Sequence, residues 1–383
     1  MRNTGSYTAT TTLGEPVRAF VPRPLPPARP ALAPESYDEG VRRAEMALAR
    51  LSGVSGLVPS VDWLLYSAVR KEALLTSQIE GTQATLTDLF DDEAGLTVSN
   101  ALDVEEVTNY LRAYRLVSEN LRNARGLPIS VRLLCDAHRV LMHGVRGAGK
   151  QPGELRSSQN WIGGTRPGRA HFVPPPPERV AELMGELEHY IHRAAPKLPA
   201  LVRIALVHAQ FETIHPFLDG NGRIGRLLIA ALLEYWGLLP EPLMYLSGYL
   251  KQHQAVYYQR LSAVRTEGDW EAWINFFLDG VEDAAAQAER GIVTVAGLIA
   301  ADRRRLLAAP KAGAISLRLF ELLPLMPRFT IEQIRQKLET TFPTATAAVK
   351  LLEEQGIVTE LTGQKKNRCF SYAAYVEVLT RDT

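Results

Sequence analysis

From Tyr37 to about Ala309, apolar residues recur at spacings of three and four. The pattern is clear in VDWLLYSAVRKEALL, VEEVTNYLRAYRLVSENL and VRLLCDAHRVLM. It continues through ERVAELMGELEHYIH, LVRIALVHAQFETI, GRLLIAALLEYW and WEAWINFFLDGVEDAAAQAE. That period places one apolar stripe on each of a succession of helices. Short punctuators around Gly53–Ser60, Gly95–Asn100, Gly126–Ser130 and Gly237–Pro242 separate them.

Three stretches break the rhythm. Residues 16–34 hold seven of the 24 prolines, a density that forbids helix and favours extended geometry. Phe20, Val21, Leu25 and Leu32 mark that part as a strap on the body, and residues 1–15 read as a disordered tail. In QNWIGGTRPGRAHFVPPPP, a Gly/Pro-rich turn between Trp161-Ile162 and His171-Phe172-Val173 predicts a short β-hairpin. A hairpin alone is marginal in water, so this one leans on the helices or receives something. From about Ile315, FTIEQIRQKL and TATAAVKLLEEQG read as two short helices, and IVTEL, TGQKKNR and CFSYAAY as a two-stranded wing. The expected division is an extended Pro-rich arm at 1–36, an N-terminal helical region at 37–125 and a helical core at 126–290. A linking helix at 291–314 and a winged helix-turn-helix domain at 315–383 follow.

Composition narrows the function. The 383 residues carry 43 basic and 42 acidic side chains, a net charge of +1, with 46% hydrophobic and 22% charged residues. That balance argues against a chain whose task is to coat nucleic acid or an anionic membrane. Cys135 and Cys369 form no CxxC pair, which excludes a zinc ribbon and suits a reducing compartment. With no apolar run of about 18 residues and no compact signal-like segment at the start, the expectation is a soluble, cytoplasmic protein without membrane partners.

The densest chemistry lies in His215-Pro216-Phe217-Leu218-Asp219-Gly220-Asn221-Gly222-Arg223-Ile224-Gly225-Arg226. Gly220, Gly222 and Gly225 have dinucleotide-motif spacing, but that motif follows a strand, whereas LVRIALVHAQFETI reads as amphipathic helix. The physics still applies. Glycines let backbone N–H groups approach a ligand, and a helix starting here turns its positive end to an anion, most naturally phosphate. Arg223 and Arg226, three apart, can add two guanidinium forks. Asp219 is placed to hold Mg²⁺ against phosphate oxygens, and His215 can take a proton near neutral pH. Singly, a histidine before proline caps a helix and an arginine pair faces solvent. Together they describe a phosphoryl or nucleotidyl transferase.

HPFLDGNGRIGR resembles the Fic motif, HxFx(D/E)GNGRxxR, at every defined position. The strap FVPRPLPP, VRKEALLTSQIEGTQ, the hairpin and YYQRLSAVRTEGDWEAWINFFLDGV extend the resemblance over nearly the whole chain. It implies a mainly α fold: a Fic-type helical bundle with a short β-hairpin flap, plus the C-terminal winged helix. It also implies an Mg²⁺- and ATP-dependent protein adenylyltransferase that moves AMP to Ser, Thr or Tyr hydroxyls of a target protein or of itself. On this resemblance His215 deprotonates the hydroxyl and Asp219 holds Mg²⁺. Gly220, Asn221, Gly222 and Arg223 line the anion hole, and Arg226 pairs with the γ-phosphate. Phe217 supports the loop, the 159–173 flap pins a target strand, and Pro152 to Arg156 order the flap's approach. Tyr257 and Tyr258 close over adenine or simply pack between helices.

Thr76-Ser77-Gln78-Ile79-Glu80-Gly81 matches the family's inhibitory signature, (S/T)xxxE(G/N). By composition alone, Glu80 is a carboxylate at a helix C-terminus followed by a capping glycine, an electrostatically poor place for an acid. Arg226 is the expected partner, and Thr76, Glu80 and Gly81 are the expected regulatory residues. Other readings stay open at this stage: a DNA-binding regulator with a nucleotide-sensing core, an enzyme that removes AMP, and a transferase with another donor. In the wing, Lys365, Lys366 and Arg368 give a thin basic footprint for DNA. Fic proteins of this layout often dimerise, so the resemblance adds a homodimer to the expected partners.

Overall fold

The computed structural model describes residues 2–193, 197–364 and 366–381. It opens on an antiparallel hairpin, β1 (Gly5–Thr12) and β2 (Glu15–Pro22), in register from Gly5 opposite Pro22 to Thr12 opposite Glu15. Leu13 and Gly14 turn it with positive φ at both positions, as a two-residue hairpin twist requires. The disordered tail expected at 1–15 is therefore corrected to a strand. Both faces of β1 are largely exposed, so its residues show no hydrophobic alternation. Order comes instead from β2, whose Val17, Ala19, Phe20 and Val21 are buried. Downstream, Leu32 is buried and Leu25 half-buried on the body, where the strap was expected.

The helical body follows the apolar stripes. Helices α1 (Asp38–Val54), α2 (Val61–Ile79), α3 (Leu86–Glu93), α4 (Ala101–Arg122) and α5 (Val131–Leu141) form its first half. Their starts are chemically marked. Ser60 accepts from Asp62 N–H, Ser130 accepts from Leu133 N–H, and Thr85 with Asp88 makes a reciprocal capping box. After the flap come α6 (Pro177–His192), α7 (Ala200–Ile214), α8 (Asn221–Tyr235), α9 (Leu246–Gln252), α10 (Gln254–Thr266) and α11 (Trp270–Leu307).

Helix α7 is the axis of the molecule. Every residue from Leu201 to Ile214 is buried, so the amphipathic reading of this segment is corrected to an enclosed helix. Its polar positions misled because most of them are partnered inside. Arg203 donates to the carbonyls of Tyr190 and Ile191, and His208 meets the Tyr257 hydroxyl. Trp273 of α11 donates to Ala205 O at 2.8 Å, locking α11 on this axis.

Helix α11 is 38 residues long and passes unbroken through residue 290. The separate linking helix expected at 291–314 is therefore the second half of α11, followed by a short turn. Gly291 and Gly297 did not end it, because packing against the body outweighs the roughly 1 kcal/mol cost of each glycine. Beyond it lie α12 (Ala314–Leu322), β3 (Arg328–Thr330), α13 (Ile331–Lys337) and α14 (Phe342–Glu354). Strands β4 (Thr359–Glu360) and β5 (Cys369–Ser371) complete a three-stranded antiparallel sheet in the order β3-β5-β4. A final helix, α15 (Ala373–Thr380), was not foreseen in CFSYAAY. Tyr372 and Tyr375 explain it. They stack, and their hydroxyls reach Asp302 of α11 (2.7 Å) and the carbonyls of Trp63 and Pro324. Lys365 lies outside the described residues. No helix among them is long and apolar enough to cross a membrane.

Candidate active site

The loop from His215 to Gly220 joins the end of α7 to the start of α8, and both ends are left-handed, with φ of 51° at His215 and 74° at Gly220. Asn221 staples the loop: its Nδ2 donates to Phe217 O and its Oδ1 accepts from Phe217 N–H, both at 2.8 Å. Phe217 is fully buried beneath and stacks on His138 at 3.9 Å. Gly153 N–H donates to His138 Nδ1, so Nε2 carries the proton and donates to Asp219 O at 3.0 Å. Burial pushes His138 down to about 4, which keeps it in that neutral tautomer. Arg156, buried, donates through Nε to His215 O and through Nη2 to Pro175 O. His138 and Arg156 thus hold the loop from below. Neither was assigned this task from sequence, where no local pattern links them to it.

The loop forms one wall of a cleft of about 830 Å³. Glu80, Glu212, His215, Gly222, Arg226 and Tyr258 line it, and Trp161, Ile162, Gly163, His171 and Phe172 of the flap roof it. Burial, then the nearby Arg156 guanidinium, pushes His215 down to about 4. Its Nδ1 makes no hydrogen bond of good geometry among the described residues. It is therefore a neutral imidazole at pH 7. An ordinary histidine loses base function below about 6.5. For this one, protonation begins only as pH falls toward the lowered value. The acid limb of kcat/KM, which reports the free enzyme, is expected below pH 6; a limb at 6.5 would refute the buried neutral state.

At the start of α8 the N–H groups of Asn221, Gly222 and Arg223 have no carbonyl one turn back, so they form an anion-binding end. Glu80 occupies it. At the C-terminus of α2, just before Gly81 at φ 99°, its Oε1 accepts from Arg226 Nη2 at 2.6 Å. A methyl at Gly222 would stand 2.3 Å from that oxygen, so the bare backbone there is what admits the carboxylate. Arg226, 2% exposed, also donates from Nε to Thr76 Oγ1 at 2.6 Å and from Nη2 to Thr76 O at 3.0 Å. Burial acts to raise the Glu80 carboxyl. The Arg226 charge and hydrogen bond outweigh it, helped by Arg223, and hold the group below its usual range. The acid that α2 disfavours at its negative end is thus offset by a guanidinium and by the positive end of α8.

Several expected placements are corrected. Arg223 does not face the cleft: its Nη1 pairs with buried Glu106 of α4 at 3.4 Å, and its Nη2 lies against Met142 Sδ. Glu106 also pairs with Arg146, a buried carboxylate needing partners on both sides. The Asn221 side chain is spent on the staple, so only its main chain can serve an anion. Tyr257 is 1% exposed and donates to His208 Nε2 at 2.8 Å, which leaves Tyr258, 47% exposed, as the ring free to cover a base.

Glu212, one turn before His215, went unnoticed in the sequence. It is buried on the cleft wall, burial pushes it up to about 7, and its Oε1 is unpartnered. Asp219 is exposed just before the α8 N-terminus. Its Oδ1 accepts from Gly220 N–H at 2.7 Å, and its Oδ2 is turned toward Gly147. The described residues hold no cluster of three metal-ligating side chains. One exposed carboxylate beside a phosphate-binding helix end suits a cation that draws its other ligands from phosphates and water, as Mg²⁺ does.

The helical body, flap and loop have the fold of a Fic family protein from Desulfovibrio desulfuricans. That structure aligns with a TM-score of 0.57 at 21% identity, covering 89% of this chain and 97% of that one. Residues 39–119 match the Fic/DOC family N-terminal region and residues 128–233 match the Fic/DOC family. These two segments belong to that family. Similar proteins include "Protein adenylyltransferase Fic" of Drosophila grimshawi, 32% identical over 157 residues, covering 41% of this chain and 29% of that one. The protein of the same name from Culex quinquefasciatus is 31% identical over 178 residues, covering 46% and 32%. The chain thus spans about a third of the length of these relatives.

Proposed function

We propose that this protein is a protein adenylyltransferase that moves AMP from ATP to a hydroxyl side chain and is held in check by Glu80. The carrying observation is the contact of Glu80 with Arg226 over Gly222, inside the cleft that also holds the neutral His215. His215 accepts the proton of the incoming hydroxyl, whose oxygen attacks the α-phosphorus while pyrophosphate leaves. The main-chain N–H groups of Asn221, Gly222 and Arg223 face the phosphate charge. Arg226 takes the triphosphate tail once Glu80 has withdrawn, and Tyr258 covers the base. Asp219 would hold Mg²⁺, which when bound neutralises charge on the phosphates.

The acceptor docks as an extended segment on the flap, and a second copy of the chain can serve as acceptor. DNA binding through the C-terminal module has no comparable support, since its wing offers only Lys366 and Arg368 among the described residues. The deciding experiment incubates cell lysate with ATP and the Glu80→Gly protein, with His215→Ala as blank, and reads acceptors by mass spectrometry. Peptides carrying AMP only with intact His215 are expected. A different adduct would reassign the donor, and none at all would refute the activity.

A further inference from the structure

The flap does not stand alone. Ile162 and Phe172 exchange two main-chain hydrogen bonds, Ile162 N–H to Phe172 O at 2.8 Å and the reverse at 3.1 Å. In such a pair both residues turn their main-chain groups toward each other, so those of the extended neighbours Trp161 and Val173 point the opposite way. For Val173 that side is filled: Phe20 N–H of β2 donates to its carbonyl at 2.9 Å. Val17 and Ala19 of β2 pack with Val173 in a small apolar cluster flanked by Trp161 and Ala170. At the far end Glu15 accepts from Gly168 N–H at 3.0 Å and pairs with Arg166 at 3.8 Å. A methyl at Gly168 would stand 2.3 Å from that carboxylate, so a side chain there would have to push Glu15 aside.

The hairpin is in turn fastened to the body. Arg2 holds Glu271 of α11 through two hydrogen bonds of 2.8 Å, and Thr4 Oγ1 donates to Arg265 O of α10 at 2.9 Å. Gln210 of α7 donates to Arg23 O at the end of β2. The order across this layer is β1, β2, the Phe172 segment and the Ile162 segment, joined by one main-chain hydrogen bond from β2 and one bridged pair, and its last edge borders the cleft.

We infer that the N-terminal hairpin positions the acceptor: it fills one edge of the flap and fixes the other, Trp161 to Gly163, as the docking edge for an extended protein segment. The inference rests on the adenylyltransfer reading above. Strand addition gains affinity when the receiving edge is already ordered, and a single bridged pair cannot order itself. The hairpin supplies that order from a part of the chain remote from the catalytic loop.

The test adds Glu15→Ala to the full-length Glu80→Gly chain, leaving the buried face of β2 untouched. Hydrogen exchange at the Ile162 and Phe172 amides is expected to quicken about tenfold, the scale of one lost charge-assisted hydrogen bond. With the His215→Ala chain as acceptor probe, the acceptor KM should rise severalfold while the KM for ATP stays put. Glu15→Gln, which keeps an oxygen for Gly168, should restore slow exchange. Unchanged exchange overturns the brace, and faster exchange with an unchanged acceptor KM overturns its part in docking. A parent that labels no acceptor overturns the adenylyltransfer reading and the docking role with it, while exchange still decides the brace.

Discussion

Replacing Glu80 with glycine is expected to raise the initial rate of AMP transfer about a hundredfold, the scale set by restoring in-line geometry to a misaligned reactant. In the resting chain the carboxylate pairs with Arg226 and lies close against Gly222, so on the proposed reading a triphosphate would meet an occupied guanidinium and a like charge. Removing it frees both at once. The change also leaves Arg226, 2% exposed, with Thr76 as its remaining hydrogen-bond partner, and an uncompensated buried charge is destabilising. The variant should therefore melt below the parent, and ATP should raise its melting temperature more than the parent's. The rate is measured with α-labelled ATP. Equal rates in the two proteins, with His215 intact, would remove autoinhibition from the account.

In that released background, His215→Ala is expected to lower transfer by about 10²- to 10⁴-fold, the usual contribution of a positioned general base. The imidazole is neutral because burial and the Arg156 guanidinium beside it disfavour its charge, while it still lines the cleft. ATP binding should change little, since the anion-binding end of α8 and Arg226 remain. Isothermal titration separates the two effects. A variant that still transfers at the released rate would move the base to another residue, Glu212 being the titratable neighbour on the cleft wall.

Much of this site was legible before any coordinates. A histidine, a carboxylate, glycines and arginines packed into twelve residues have few structural excuses, and an acid before a capping glycine needs an explanation that Arg226 supplies. The helices were legible because their stripes face a common core. What was not legible depended on partners distant in the chain. Arg223 and Arg226 are equivalent by spacing, yet Glu106 of α4, 117 residues away, draws one of them out of the cleft. Tyr257 and Tyr258 are neighbours in sequence, and His208 of α7 decides which is buried. Strand β1 shows no alternation because neither of its faces is core, and α7 looked two-sided because its polar residues, most of them partnered inside, are buried with the rest.

The missing methyl at Gly222 makes room for the carboxylate of Glu80 and, on the proposed reaction, for the phosphate that would replace it, and a larger residue would crowd both. Random mutagenesis followed by selection for runaway modification should therefore gather alleles at Thr76, Glu80 and Gly81 and recover none at position 222.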